Sequence, residues 1–192
     1  RDRSPKTLAA GRELAMSVSD MQFVGRHRVP FQFRESVASR LGVGAVLAAA
    51  DGVLLQDLDG NLAYDLGGSY GVNLFGHDVY RRCIEWATEQ ARALGLVLGA
   101  YHPIVADNVA RLRAISGMDE VSFHMSGTEA VMQAVRLARY HTGRSHVVRF
   151  AGAYHGWWDG VQPGPGNPLP TDHVYTLQEM SEATLTVLRH RD

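Results

Sequence analysis

The residue types best suited to chemistry sit in a short turn, Ser126-Gly127-Thr128. The apolar-rich run Val121–Met125 before it reads as a strand, and a strongly helical stretch runs from Glu129 to His141. A strand that passes through such a turn into a helix aims several backbone N–H groups and the positive end of the helix dipole at one point. That point is an anion site, and phosphate is its usual occupant. Gly127 has no Cβ, so a ligand can approach the backbone closely there. Thr128 adds a hydroxyl donor, and Ser126 or Thr128 is also suited to cap the helix. The same three residues equally describe a capped helix that binds nothing.

A second constellation follows in the chain. His146–Phe150 reads as a strand that ends in a loop carrying Tyr154-His155-Gly156, an aromatic face beside an imidazole. The order strand, helix, strand predicts a parallel pair in an α/β layer. His155 stands open between a place beside a ligand and that of a hydrogen-bonded core histidine.

Upstream elements must position these groups. Lys6–Val18 has the spacing of one amphipathic helix, with Leu8, Leu14 and Val18 among its apolar positions; a solvated surface helix fits it as well as a binding role. His27 and Arg28 precede Val29-Pro30-Phe31, where Pro30 argues for an extended chain, and Arg34 is given no role. Ala45–Ala50, Val53–Asp57 and Leu62–Leu66, separated by Asp51-Gly52 and Asp59-Gly60-Asn61, predict a small antiparallel sheet. The stretch from Leu66 to Gly71 is too glycine-rich for regular structure yet carries Ser69 and Tyr70. It reads as a functional loop or as a turn with a buried tyrosine.

Asp78–Leu94 has helical spacing and stops at Gly95, and its stripe including Ile84 and Trp86 reads as core. A further helix runs from His102-Pro103 to about Ser116. Ala130, Ala134 and Ala138 make one side of the Glu129–His141 helix narrow enough for close packing on a sheet. After Gly156 the chain enters a Pro- and Gly-rich loop to Pro170. Val174–Leu177 reads as a short strand, and Ser181–Arg189 as a last helix opened by a Ser-x-x-Thr cap.

Composition narrows the classes. The 192 residues are 45% hydrophobic and 20% charged with a net charge of -1, which describes a soluble globular protein large enough for one cored domain. No basic excess points to nucleic acid, and no run of about 18 apolar residues points to a membrane. The single Cys83 excludes an internal disulfide framework and a multi-cysteine zinc site, and no metal is expected. A cytoplasmic location fits the cysteine usage and the polar start, while Arg1 as the opening residue suggests an excised chain. Of the 19 basic residues, 18 are Arg and one is Lys, at position 6.

Taken together, Ser126-Gly-Thr-Glu-Ala130 and Tyr154-His-Gly156 resemble the class III aminotransferases, fold-type I enzymes that use pyridoxal 5′-phosphate (PLP). The likeness leans toward the glutamate-1-semialdehyde aminomutase branch. Asp59-Gly-Asn61, Tyr64-Asp65, Gly71-Val-Asn-Leu-Phe-Gly-His77, Arg136-Leu-Ala-Arg139 and Thr142-Gly-Arg144 extend it over roughly residues 45 to 160.

The resemblance implies an α/β fold: a small N-terminal sheet-containing segment, then the first part of a large domain with a mostly parallel sheet and flanking helices. The expected divisions are an arm at 1–28, a small-domain segment at 29–76 and the start of the PLP-binding domain at 77–192. It places the PLP phosphate at Gly127 and Thr128, with Ser126 beside them, and stacks Tyr154 on the pyridine ring. His155 supports that loop or neighbours the ring, and Ser69 and Tyr70 lie on the substrate side. The implied reaction passes an amino group from a small donor through the cofactor to a carbonyl carbon, or moves it within one molecule as an aminomutase does. The stretch from Gly71 to His77 also resembles aminotransferase domains of polyketide and peptide synthases, which implies a carrier-tethered acceptor and natural-product biosynthesis. A homodimer is implied as well.

Two groups that PLP chemistry needs have no matching position. The family's Schiff-base lysine and the aspartate facing the pyridine nitrogen come later than Asp192, so no catalytic residue is assigned in this chain and it is expected to be inactive alone. It is read as a fragment, as half of a split enzyme, or as a non-catalytic module that binds a phosphate-bearing ligand.

Overall fold

The computed structural model describes residues 3–19, 36, 46–95, 97, 99–162 and 172–190. His27, Arg28, Pro30, Arg34 and the proline-rich stretch 163–170 lie outside the described residues. The described chain forms two compact units, one holding residues 3–17, 36, 46–95, 97 and 99–121, the other residues 18–19, 122–162 and 172–190.

The first unit is built on an antiparallel meander of β1 (Leu47–Asp51), β2 (Leu54–Asp57) and β3 (Leu62–Tyr64) in the order β1-β2-β3. Asp51 pairs with Leu54 across a two-residue turn, and Leu54 pairs with Tyr64. Gly52 has a φ of +53°, the conformation such a tight hairpin turn requires. The three strands stand where the alternation and turn residues predict, with ends shifted by one or two residues.

Helix α1 (Pro5–Ser17) is fastened to the β2–β3 turn through its first turn. Asp59 accepts the backbone N–H groups of Lys6 and Thr7 at 3.1 and 2.9 Å and the Thr7 hydroxyl at 3.0 Å. A carboxylate from another element thus satisfies donors that the helix itself leaves unpaired. Asp57 accepts from the Asn61 side chain at 2.8 Å, the Asn61 and Asp59 amides and the Ser4 hydroxyl. These bonds, the Asn61 side chain foremost, hold the Asp57 carboxyl at about 2. For Asp59 partial burial is the largest influence and pushes upward, but the bonds from Thr7 and Lys6 outweigh it and the net direction is down. Thr7 is the buried residue of α1, whereas Leu14 and Met16 stay exposed, so most of the helix is a solvated surface element; Val18 lies just past its end.

Helix α2 (His77–Leu94) sets its N-terminus on the β1–β2 turn. The His77 N–H donates to the Gly52 carbonyl at 2.9 Å, and Arg81 Nη2 donates to the Ala50 carbonyl at 2.6 Å. Helix α3 (Ile104–Ser116) follows, and both helices close on glycines with positive φ, Gly95 and Gly117. Their boundaries match the sequence pattern, but the expected burial does not. No residue of α2 or α3 is buried, and Ile84 and Trp86 are more than half exposed. Helical spacing marks the face that seeks cover; among the described residues no element lies over it.

In the second unit α4 (Gly127–Thr142) precedes β4 (Val147–Phe150), then come β5 (Val174–Leu177) and α5 (Glu182–Arg189). β4 and β5 pair in parallel, from Val147 opposite Val174 to Phe150 opposite Leu177. The parallel pair expected here therefore forms, with different members. Val121–Met125 is not a strand, because among the described residues nothing provides its ladder, and a single extended run leaves its backbone groups unpaired. The α4 alanines are affected alike, since Ala130, Ala134 and Ala138 are all exposed. Val161 is the buried apolar residue of this unit.

Candidate functional site

Ser126 is the N-cap of α4. Its backbone is extended (φ -150°, ψ 159°) and its Oγ accepts the Glu129 N–H at 3.2 Å. The Glu129 carboxylate reaches back to accept the Met125 N–H at 2.8 Å, a variant of the capping box. Ser126 is thus turned inward to hold the helix end. Thr128 keeps its Oγ1 out of this network, and the N–H groups of Gly127 and Thr128 have no acceptor among the described residues. Two free amides, one free hydroxyl and the positive end of a 16-residue helix converge there. A Cβ built on Gly127 would meet nothing within 4 Å, so no internal packing requires glycine at this position.

The Tyr154-His155-Gly156 loop comes to the same place. Gly156 is buried with a φ of +94°, and a Cβ on it would stand 2.9 Å from both Cα and Oγ1 of Thr128. The two loops that carry the motifs are therefore packed backbone against side chain, in a gap that only glycine fits. Tyr154 and His155 flank this contact. Tyr154 is 46% exposed, leaving ring surface open, and His155 is exposed without a hydrogen bond among the described residues. The core-histidine reading of His155 does not hold.

The site lies where the chain leaves the carboxyl end of β4, the end at which ligands collect in parallel α/β layers. A cleft of about 920 Å³ sits elsewhere, lined by residues such as Arg144, His146 and Tyr175, with the His146 ring stacked on Tyr175 at 5.3 Å. None of the candidate site residues Ser69, Tyr70, Ser126, Gly127, Thr128, Tyr154 and His155 lines it.

Ser69 and Tyr70 belong to the first unit. They occupy one left-handed turn, Gly68–Gly71, with φ values of +49° and +60°. For residues with a side chain this conformation costs about 1–2 kcal/mol each. The turn is held from one side by Asp65, which accepts the Gly68 N–H at 2.8 Å and faces His77 Nε2 at 3.2 Å. Asn73 closes it, its N–H donating to the Gly68 carbonyl at 2.9 Å. Tyr70 is fully exposed, not a buried tyrosine under a turn. Strain held by a polar frame is characteristic of binding loops.

Three residues that matter to this geometry have no site role in the sequence reading, although Glu129 and Gly156 stand inside the two motifs. Glu129 completes the cap. Gly156 makes the contact between the loops; its signal was its place directly after Tyr154-His155. Arg149 is the third, and a charged residue inside an apolar strand is the sign that could have marked it. Among the described residues no group of three or more His, Cys, Asp or Glu could hold a metal, and no helix is long and apolar enough to cross a membrane.

A class III aminotransferase family model matches residues 38–161, which include both loops and the Ser69–Tyr70 turn. The chain belongs to the class III aminotransferases. It is 38% identical over 131 residues to a glutamate-1-semialdehyde 2,1-aminomutase of Deinococcus radiodurans, a match covering 68% of this chain and 29% of the relative. The corresponding enzyme of Acidobacterium capsulatum is 39% identical over 147 residues, covering 73% and 34%. The chain thus spans about a third of the length of these relatives. Among solved structures, a transaminase with PLP bound aligns with a TM-score of 0.64 at 29% identity, over 74% of this chain and 37% of that one. A glutamate-1-semialdehyde aminomutase from Pseudomonas aeruginosa aligns with a TM-score of 0.74 over 98% of this class III chain and 43% of its own; at 20% identity it supports the α/β fold alone.

Proposed function

We propose that the protein containing this chain is a PLP-dependent enzyme that moves an amino group from a small donor to a carbonyl carbon. The observation that carries this is the packing of Gly156 on Thr128, which joins a free helix N-terminus to an exposed tyrosine ring. Gly127 and Thr128 would hold the phosphate through two amides and one hydroxyl, charge-assisted bonds to an anion. Ser126 and Glu129 keep those amides aimed by capping the helix beneath them. Tyr154 would lie on the pyridine ring, with His155 at its edge, and Ser69 and Tyr70 would face the substrate. PLP, when bound, supplies an electron sink that lets nitrogen leave one carbon and join another. Holding the cofactor by these groups, and excluding water from its ring face, is what this chain's residues contribute.

Intramolecular transfer, as in an aminomutase, is a second reading, favoured by the two relatives at 38% and 39% identity. A carrier-tethered acceptor in natural-product biosynthesis, a homodimeric assembly and a cytoplasmic location complete the proposal; they rest on the sequence resemblance. Neither reading assigns a catalytic base to this chain, whose single lysine is Lys6.

The test is a PLP titration of the full-length protein followed by tryptophan quenching and cofactor absorbance. Thr128→Val should weaken binding, as one hydroxyl donor to a charged phosphate is lost. Tyr154→Ala should weaken it by about 1 kcal/mol, the scale of an aromatic pair. A wild-type protein that binds no PLP would refute the proposal, and unaltered affinity in both variants would move the cofactor away from this turn.

A further inference from the structure

We propose that Arg149 is a positioning residue that clamps the Tyr154–His155–Gly156 loop onto Thr128. This rests on the reading of that loop as the cofactor's ring and phosphate site. Arg149 lies on β4 and is 8% exposed, so its guanidinium is in the interior of the unit. No carboxylate pairs with it among the described residues. Instead Nη1 donates to the Val161 carbonyl at 2.6 Å and Nη2 to the Ala153 carbonyl at 3.1 Å, while Nε has no partner.

The two carbonyls are the two ends of the loop. Ala153 immediately precedes Tyr154, and Val161 closes the turn that Trp158 and Gly160 form beyond Gly156. The Val161 and Gln162 N–H groups donate back to the Trp158 carbonyl at 3.0 and 3.1 Å, and Val161 itself is buried. One planar fork therefore ties both ends of a nine-residue segment, 153–161, to a strand. Gly156, inside that segment, is left to press on Thr128. Arginine has the reach and the divergent donors to do this; a lysine ammonium could serve one carbonyl well but not both in fixed geometry.

Burying a guanidinium without a counter-charge is expensive, and neutral hydrogen-bonding residues could staple a loop at lower cost. What the arginine adds is two bonds of charged strength and a positive field beside loops that would hold a phosphate. The loop's amides and ring are held in one register before any ligand arrives.

The experiment uses the full-length protein with Arg149→Met and Arg149→Lys. PLP affinity should fall by about tenfold or more in Arg149→Met, the scale of one lost hydrogen bond to a charged group, with partial recovery in Arg149→Lys. In the same cofactor-free samples, amide exchange should quicken across 153–161 and stay as in wild type across α4 and β4. A role in general stability alone would speed exchange throughout the unit and leave the affinity of the folded fraction unchanged, which would overturn the proposal. Unchanged exchange at 153–161 would overturn it too. Should Arg149→Met not fold, Arg149→Lys supplies both readouts. If wild type bound no PLP, the proposed function would fail first, whereas wild-type binding with unaffected variants would sink the clamp alone.

Discussion

Alanine at position 156 probes the junction of the two motif loops directly. The added Cβ faces two separate penalties. A side chain at φ +94° sits in a backbone region that costs about 1–3 kcal/mol outside glycine. The Cβ would also lie 2.9 Å from Thr128 Cα and Oγ1 and 3.2 Å from its Cβ. Because Cα belongs to the first turn of α4, rotating the threonine side chain relieves only part of the clash. Overpacking of this kind costs about 1–3 kcal/mol. The loop can yield by lifting off, so about 3 kcal/mol is expected from the range of roughly 2–6. In a domain of this size that lowers the unfolding midpoint by roughly 6–12 °C.

Gly127→Ala is the internal control, one turn residue away. Nothing lies within 4 Å of its Cβ and its φ is not positive, so the cofactor-free protein should lose no stability and gain at most about 1 kcal/mol from the lower helix cost of alanine. PLP affinity should nonetheless fall, because the methyl group enters the space the phosphate would use. The assay is thermal unfolding by circular dichroism with and without PLP, with the emission of Trp157 and Trp158 reporting the loop. Two outcomes would refute the reasoning: Gly156→Ala as stable as wild type, or Gly127→Ala with unaltered PLP affinity.

Further predictions concern the supports of the site and of the first unit. Ser126→Ala removes the cap of α4 and should destabilise by about 1 kcal/mol in chemical unfolding, with Glu129→Gln costing less. Acid should release α1: the Asp57 and Asp59 carboxyls lie below their ordinary value in the folded chain, so their contribution is complete above the ordinary carboxylate range and is lost as pH falls through their lowered values, about 2 for Asp57. Limited proteolysis of α1 with pepsin from pH 4 to pH 2 reads this directly, and Asp59→Asn should give early cleavage already at pH 4. Ser69→Gly removes a side chain from a left-handed position and should leave stability equal or up to about 1 kcal/mol higher in a denaturant titration. A loss larger than that would show that the Ser69 side chain makes a bond stronger than the strain it carries.

Much of the local structure was written in neighbouring residues. Gly95 and Gly117 ended their helices where a positive-φ glycine is the least costly stop, and Ser126 and Ser181 opened theirs because a hydroxyl two or three residues ahead can take an orphan amide. The three-strand meander followed from Asp51-Gly52 and Asp59-Gly60-Asn61 separating short apolar runs. These outcomes depend on contacts within a few positions, so one stretch of sequence contains both partners.

Other outcomes needed groups that are distant in the chain. Val121–Met125 has strand composition but no ladder, since a strand is a property of two segments and only one is given by its own residues. The stripe of α2 names a face to be buried without naming what covers it. Asp59 capping α1 across 52 positions, Arg149 reaching the carbonyl of Val161, and Gly156 pressed on Thr128 are all non-local. The residue types for an anion cradle and an aromatic platform were therefore determined by sequence alone. That the two loops meet was decided by tertiary structure, because only the folded backbone brings residue 156 within van der Waals reach of residue 128 and shows that nothing larger than glycine fits between them.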